Sequence, residues 1–191
     1  MSPRNDFQLK AMRTKSKEKI LLSAAKIFTE EGLKGASIQQ IAKEADVSVG
    51  LLYHYFSSKE EVLDVIVNDA LSQVENMLQD YFTGDPKSVS IPNAIKEVFS
   101  MLLDEESGWQ QILTLYYQPE VFKRYYQRFQ DFGKQLFTSL TGLFRKLGYN
   151  EPEIASRMIF AEVNGILMMN LAYGEEAKTD QLVQVLIGKY A

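Results

Sequence analysis

The chain has 191 residues, of which 46% are hydrophobic and 24% are charged, and its formal net charge is −4. This composition is that of a globular protein with one or two domains. The absence of cysteine excludes disulfides, thiolate zinc sites and cysteine nucleophiles. No apolar run approaches the length of a membrane span and the first twenty residues are polar, so we expect a cytoplasmic protein.

The charge is unevenly distributed along the chain. Residues 1–60 contain 10 Lys and Arg against 7 Asp and Glu, a balance of +3, whereas residues 61–191 contain 11 against 18, a balance of −7. A basic part beside an acidic part suits a protein in which one surface faces nucleic-acid phosphates. The alternative is a chance asymmetry between two solvated surfaces, which is weaker because the basic part coincides with the motif described below.

The first predicted helix begins near Ser16 and runs to about Glu31, where Gly32 is placed as its C-terminal cap. Its apolar residues recur at helical spacing and form one inner stripe: Ile20, Leu21, Ala24, Ile27 and Phe28. Residues 1–15 carry four basic side chains without an apolar period. They form a mobile basic arm that contacts phosphates, a frayed extension of the helix, or an unused terminus.

Residues 37–60 predict two short helices joined by a tight turn. Ser37 and Ser48 are placed to cap the two helices, and Asp46 tolerates the turn between them. The spacing of the second helix turns Leu52 and Phe56 inward. The same spacing places several other residues of this helix away from the small core: Val49, Gly50, Leu51, Tyr53 and His54. A helix–turn–helix of this size fits the DNA major groove, with the start of its second helix at the base edges.

The remainder is also predicted to be helical, which makes the fold class all-α. A long helix runs from Lys59 to about Phe82 and opens with a capping box formed by Ser58 and Glu61. Further helices are expected over residues 90–103, 109–116, 119–147, 150–173 and 179–190. The predicted domains are residues 1–58, a three-helix bundle with its basic arm, and residues 59–191, a second helical domain.

The residues Ile41-Ala42, Val47-Ser48, Gly50, Leu52-Tyr53, Tyr55-Phe56 and Ser58-Lys59-Glu60 resemble the signature of the tetracycline-repressor (TetR) family of transcriptional regulators. The resemblance spans residues 16–63, and Asp46 departs from it because the family usually has Gly there. It implies a homodimeric repressor that leaves a pseudo-palindromic DNA operator when a lipophilic small molecule binds the C-terminal domain. The DNA-facing residues that it implies are Ser37, Gln39, Val49, Gly50, Leu51, Tyr53, His54 and Lys59.

Aromatic residues crowd positions 109–144, and their helical spacing is that of ordinary core packing. With the resemblance, they also predict a largely apolar effector cavity. We expect its wall to contain Phe99, Trp109, Tyr116, Tyr117, Phe129 and Met158, with Asn164 as a polar anchor. The resemblance further implies that the last two long helices form a two-fold dimer interface, which would contain Glu162, Gly165, Leu182 and Leu186. Glu162 could instead face the cavity or solvent.

The sequence contains little that supports an enzymatic function. The only histidine, His54, lies in the proposed recognition helix, and no His pair or carboxylate cluster has metal-ligand spacing. We therefore expect no catalytic residue, metal or cofactor. Two other readings stay open: an activator or DNA-organising protein of the same fold without a small ligand, and a helical protein–protein adaptor in which residues 37–60 only pack.

Overall fold

The structure is a computed structural model that describes residues 6–84, 89–104 and 108–191. Its helices are α1 (Asp6–Gly35), α2 (Ile38–Glu44), α3 (Val49–Tyr55), α4 (Lys59–Thr83), α5 (Ile91–Leu102), α6 (Trp109–Tyr117), α7 (Pro119–Arg124), α8 (Tyr126–Lys146), α9 (Pro152–Tyr173) and α10 (Thr179–Lys189), with a 3₁₀ helix at Gly174–Ala177. The described ranges contain no strand, and the all-α prediction is confirmed. Residues 6–15, predicted as an arm or a helical extension, continue α1, while residues 1–5 lie outside the described part.

The chain divides into two compact units. The first comprises the residues up to Ala70 together with residues 111–123, and the second comprises residues 71–110 and 124–191. The unit that holds the helix–turn–helix therefore continues into α4 and includes a later segment of the chain. The functional division after residue 58 stays a prediction.

The core of the first unit follows the predicted periodicity. Ile20 and Phe28 of α1 are fully buried, as are Ile41 of α2 and Leu52 of α3. Gly32 has φ 69° and ψ 167°, a left-handed conformation that glycine adopts without steric cost. The regular part of α1 ends there as predicted, although a further helical turn continues to Gly35.

Residues 111–123 are bonded to α1 within the first unit. The side-chain amide of Gln118 donates to the carbonyl oxygens of Phe28 and Thr29, at 3.1 and 3.3 Å. The Thr29 hydroxyl in turn reaches the carbonyl of Gln111 at 3.3 Å. Carbonyls near a helix end lack partners in their own helix, and the break at Gly32 places Phe28 and Thr29 in that position. This capping joins residues about ninety positions apart, so local sequence signals do not predict it.

Two predicted features of the helices are corrected. The single helix expected over residues 119–147 is two helices, α7 and α8, with Tyr125 between them at φ −104° and ψ 15°. Tyr125 is buried and its ring lies 6.1 Å from that of Phe129, so packing accounts for a break that no Gly or Pro marks. In the capping box, Ser58 accepts from the Glu61 amide, but the Glu61 carboxylate bonds to the amide and hydroxyl of Ser57. The hydrogen bonds from Ser57 lower the pKa of Glu61.

In the second unit, α9 packs against α8 and α10, and α10 packs against α5. Phe144 of α8 is fully buried, and Ile159 and Leu167 of α9 are nearly so. Ser156 is 1% exposed, and its hydroxyl lies 2.8 Å from that of Thr141, which satisfies a polar group inside an apolar contact.

The C-terminal end of α10 is tied to the middle of α9 through Glu162. Its carboxylate accepts hydrogen bonds from the Lys189 ammonium and, at 3.0 Å, from the Tyr190 hydroxyl. Glu162 was predicted to face the effector cavity, the dimer interface or solvent, and its carboxylate instead bonds to residues of its own chain. The ring of Tyr190 also lies 6.1 Å from that of Phe144.

This contact predicts a loss of stability at alkaline pH. Burial and the bond to Glu162 raise the pKa of Tyr190 above its ordinary value, and burial raises the pKa of Tyr116 and Tyr117 in the same direction. Because the folded state favours the neutral phenol, this stabilisation is complete below about pH 10 and is lost as the pH rises further.

We expect Tyr190→Phe to lower the stability at pH 8 and to flatten the decline of stability between about pH 9.5 and 11. Urea unfolding at each pH measures both, with Tyr173→Phe, at an exposed tyrosine, as the control; parallel declines in wild type and Tyr190→Phe would contradict the assignment.

Candidate functional site

The helix–turn–helix is held in place at the start of α2 by reciprocal hydrogen bonds. The Ser37 hydroxyl accepts from the Gln40 amide at 3.2 Å, and the Gln40 side chain accepts from the Ser37 amide at 2.8 Å. The predicted cap is confirmed. Gln40 was not singled out from the sequence, although Ser-x-x-Gln before an apolar run is the signal of a capping box. The Ser37 hydroxyl also donates to the Gln40 side-chain oxygen at 2.7 Å. Ser37, which was predicted to contact DNA, therefore already has a hydrogen-bond partner within the chain.

A second tie joins α2 to α1. The Lys26 ammonium donates to the Glu44 carboxylate at 2.6 Å on an exposed surface. The hydrogen bond and charge of Glu44 raise the pKa of Lys26. Exposed ion pairs contribute little to stability because solvent screens them, so the pair orients α2 more than it stabilises the fold.

The turn between α2 and α3 is closed around Asp46. Asp46 has φ 54°, and its amide bonds to the Lys43 carbonyl at 3.2 Å while the Val47 amide bonds to the Ala42 carbonyl at 2.9 Å. This pair of bonds is the Schellman arrangement, in which the residue after the cap is left-handed and usually Gly. Asp is among the few other residues that visit this conformation routinely. The departure from the family pattern therefore leaves the turn intact.

The α3 helix presents one face inward and one outward. The Ser48 hydroxyl caps it by accepting from the Leu51 amide at 3.1 Å, and Leu52 and Phe56 are buried. Leu51 is half-buried, which limits its reach. The exposed residues of this helix–turn–helix that match the predicted DNA-facing set are Gln39, Val49, Gly50, Tyr53 and His54, which we call the recognition face. A Cβ atom added at Gly50 would meet no other atom of the protein within 4 Å.

Lys59 lies at the first residue of α4 and is half-buried. Its ammonium donates to the carbonyl of Ala36 at 2.8 Å and to that of Lys34 at 3.4 Å. The side chain predicted as a phosphate clamp thus also caps the end of α1. An ammonium has three donors, so one is left for a phosphate, and its position is fixed in advance by the other two.

The residues predicted for the effector cavity do not all fall in one compact unit. Phe99 and Trp109 are buried and Phe129 is half-buried in the second unit, whereas Tyr116 and Tyr117 belong to the first. Their grouping around one ligand stays a prediction. Two members fit less well: Met158 is 46% exposed, and the Asn164 amide donates to the carbonyl of Phe160 in its own helix at 2.8 Å.

The predicted dimer residues are also placed differently from one another. Gly165 is exposed, with open space where a Cβ would lie, and Leu182 is half-buried. Leu186 is 4% exposed, so it packs within its own chain and has little surface for a partner. Large apolar side chains that the sequence analysis did not assign to an interface are exposed on α9 and α10: Ile154, Met158, Met168, Met169, Tyr173 and Val185.

Two further properties concern the described ranges alone. They contain no group of three or more His, Cys, Asp or Glu side chains that could hold a metal ion. None of the helices in that part of the chain has the length and apolar character needed to cross a membrane.

Comparisons with known proteins agree with this geometry. Residues 20–66 match the sequence profile of "Bacterial regulatory proteins, tetR family". The HTH-type transcriptional regulator HbdR of Aromatoleum sp. (strain CIB) is 35% identical over 68 residues, which are 36% of this chain and 30% of HbdR. The matches to this and similarly scoring curated relatives span about a third of the relatives' length.

Solved structures share the fold over nearly the whole chain. A transcriptional regulator from Rhodococcus sp. superposes with a TM-score of 0.67 at 21% identity, covering 91% of this chain and 95% of the regulator. A complex of SmeT, a repressor of Stenotrophomonas maltophilia, with triclosan superposes with a TM-score of 0.71 at 19% identity, covering 92% and 91%. Residues 20–66 therefore have the sequence profile of the tetR family of bacterial regulatory proteins, and the chain shares its fold with solved transcriptional regulators.

Proposed function

We propose that the protein is a homodimeric transcriptional repressor that binds a pseudo-palindromic DNA operator and is released from it by a small molecule. The observation that carries the proposal is the recognition face. Four of its five residues project from α3, whose other side is fixed by buried Leu52 and by the buried C-cap residue Phe56, and the fifth, Gln39, projects from α2. Ser37 caps α2, Ser48 caps α3, and the closed turn at Asp46 joins the two helices, so the position of α3 is set by hydrogen bonds at both of its neighbours. A rigid helix with an exposed N-terminal half is what reading a major groove requires.

The side chains divide between two kinds of DNA contact. Gln39, His54 and half-buried Leu51 supply an amide, an imidazole and an apolar tip, which suit base edges. Tyr53, which is 52% exposed, and the pre-positioned Lys59 suit phosphates, where contacts set register without reading sequence. Val49 and Gly50 leave room for the backbone of α3 to approach the groove.

A second copy of the chain is the partner that the exposed side of α9 fits. Ile154, Met158, Gly165 and Met168 recur at helical spacing along this side, together with the small Ala161 and Ala172. Large exposed apolar patches on soluble proteins mark interaction sites. At Gly165, where no side chain stands between the backbones, two α9 helices related by two-fold symmetry can approach closely. A dimer would present two recognition faces to two operator half-sites.

The effector is proposed to act through α4. This helix begins at Lys59, in the unit that holds the recognition face, and continues without a break to Thr83 in the second unit. A molecule bound among the C-terminal helices would shift α4 and so change the separation of the two recognition faces. A coupling of about 1–3 kcal/mol would weaken operator binding about 5–150-fold. That SmeT forms a complex with triclosan supports a small organic molecule as the effector.

Lys59 provides the test of DNA binding. Lys59→Ala should weaken binding to all duplexes and reduce the slope of log affinity against log salt by about one unit per half-site. It should also lower the stability by about 1–2 kcal/mol, because two charge-assisted hydrogen bonds to carbonyls are lost. Fluorescence-anisotropy titrations between 50 and 200 mM salt, the range over which such contacts are resolved, measure the slope, and urea unfolding measures the stability.

The matched control is Lys96→Ala, which removes an exposed lysine of α5. It should change neither quantity. A Lys59→Ala protein with reduced stability and an unaltered salt slope would assign Lys59 to capping alone. Absence of DNA binding by the wild-type protein would favour the adaptor reading.

A further inference from the structure

The second compact unit contains a groove between the C-terminal half of α4 and the middle of α8, with a volume of about 370 Å³. Ligand pockets in proteins span about 300–1,000 Å³, so the groove is of a size that takes a small organic molecule. It is lined from α4 by Glu75, Asn76, Leu78, Gln79, Phe82 and Thr83, and from α8 by Phe132, Gln135, Leu136 and Ser139. These are not the residues predicted from the sequence to form the effector cavity.

The lining combines an apolar floor with a polar rim. Leu78 is buried, and Phe82, Phe132 and Leu136 are half-buried. Leu78 and Phe82 on α4, and Phe132 and Leu136 on α8, are each four positions apart, so each pair lies on one side of its helix. Two phenyl rings in the floor favour a flat aromatic body, which gains offset or edge contacts with them.

The rim offers hydrogen bonds without net charge. Asn76, Gln79 and Gln135 are exposed and carry side-chain amides, which both donate and accept. Among the lining residues whose side chains the structure describes, Glu75 is the one that ionises, and its carboxylate lies 3.5 Å from the Arg128 guanidinium. An anion would therefore meet a carboxylate and no cation among these described residues, while a cation would have to compete with Arg128. The lining selects for a neutral molecule.

We propose that this groove is the effector site, and that the effector is a neutral, planar aromatic molecule with hydrogen-bonding groups at its edges. The inference rests on the proposed function, because the groove is assigned to the molecule that controls operator binding. The position of the groove couples it to the recognition face through α4. Six of the lining residues belong to the last turns of this helix, which begins at Lys59. A ligand that fills the space beside residues 75–83 would displace that end of the helix.

The test uses Nile red, a neutral planar aromatic dye whose emission reports an apolar surrounding. The 191-residue chain should bind it saturably, and Ser139→Phe, which fills the groove from α8, should weaken binding at least tenfold. Thr138→Phe is the matched control because Thr138 is exposed, adjacent to Ser139 and not part of the lining. Its affinity for the dye should equal that of the wild type. Gln135→Phe, at an exposed rim position, should also weaken binding at least tenfold, and it serves if Ser139→Phe does not fold.

Charged dyes test the second half of the proposal. Anionic anilinonaphthalene sulfonate and cationic rhodamine 6G should each bind at least tenfold more weakly than Nile red. Equal affinity of the filled variants and the wild type for Nile red, or tighter binding of either charged dye, would overturn the groove assignment. If operator binding is intact in that case, the repressor function stands without it. If the wild type binds no DNA, the proposed function fails whatever the dyes do.

Discussion

Gly50→Leu should leave the protein folded and weaken operator binding at least about tenfold, a loss of about 1.4 kcal/mol or more. Gly50 is the second residue of α3, and a Cβ atom added there meets no other atom of the protein within 4 Å. The added side chain therefore costs no intrachain clash, and replacing Gly in a helix gains up to about 1 kcal/mol of helix propensity. On the DNA side it would stand between the backbone of α3 and the groove. Thermal unfolding and anisotropy titration with one operator duplex measure the two effects.

The control for this change is Gly133→Leu. Gly133 also lies within a helix and has no atom within 4 Å of an added Cβ, but it belongs to α8. This variant should bind the operator as the wild type does. If Gly50→Leu were as stable as the wild type and bound DNA equally well, α3 would not approach DNA through its N-terminal half.

Val185→Glu should convert the proposed dimer to monomers at micromolar concentration. Val185 is 73% exposed within its own chain, so the carboxylate is solvated in a monomer. In the dimer interface expected for α9 and α10 the carboxylate would be buried in both protomers, and desolvation costs several kcal/mol for each ion. Sedimentation equilibrium measures the association constant. Operator affinity should fall with it, because a monomer can occupy only one half-site.

Gln184→Glu is the matched control, since Gln184 is its exposed neighbour on α10 and the change adds the same charge. It should remain dimeric. An intact Val185→Glu dimer would move the dimer interface away from this part of α10. Such a result would leave Gly165 and the exposed methionines of α9 as the remaining candidate residues of the dimer interface.

Local signals account for what the sequence predicted well. The bounds of α4 were expected at Lys59 and Phe82 and are Lys59 and Thr83, because Ser58 caps the start and a Gly-Asp-Pro sequence after Thr83 predicts a helix end. The same holds for the caps at Ser37 and Ser48 and for the inward positions Leu52 and Phe56. Each depends on residues within a few positions of one another.

Contacts between distant segments account for what could not be predicted. The break at Tyr125 has no local breaker and follows from packing. The capping of α1 by Gln118 and Lys59, and the ties from Glu162 to residues 189–190, join segments that periodicity cannot relate. The 3₁₀ helix Gly174–Ala177 was also not expected, since a Gly-Glu-Glu-Ala segment between helices predicts only a loop. Both the groove and the burial of Leu186 depend on such tertiary packing.

Selection of binding sites from random duplex DNA tests the central claim most directly. The purified wild-type protein should enrich one two-fold pseudo-palindromic sequence whose half-sites are read by successive major grooves, about 34–36 Å or a multiple of that distance apart. The enriched duplex should bind more tightly than unselected DNA by a factor of about 10³ or more at the same salt concentration. Enrichment of no sequence, with equal affinity for selected and unselected duplexes, would contradict the assignment of α3 as a DNA-reading helix.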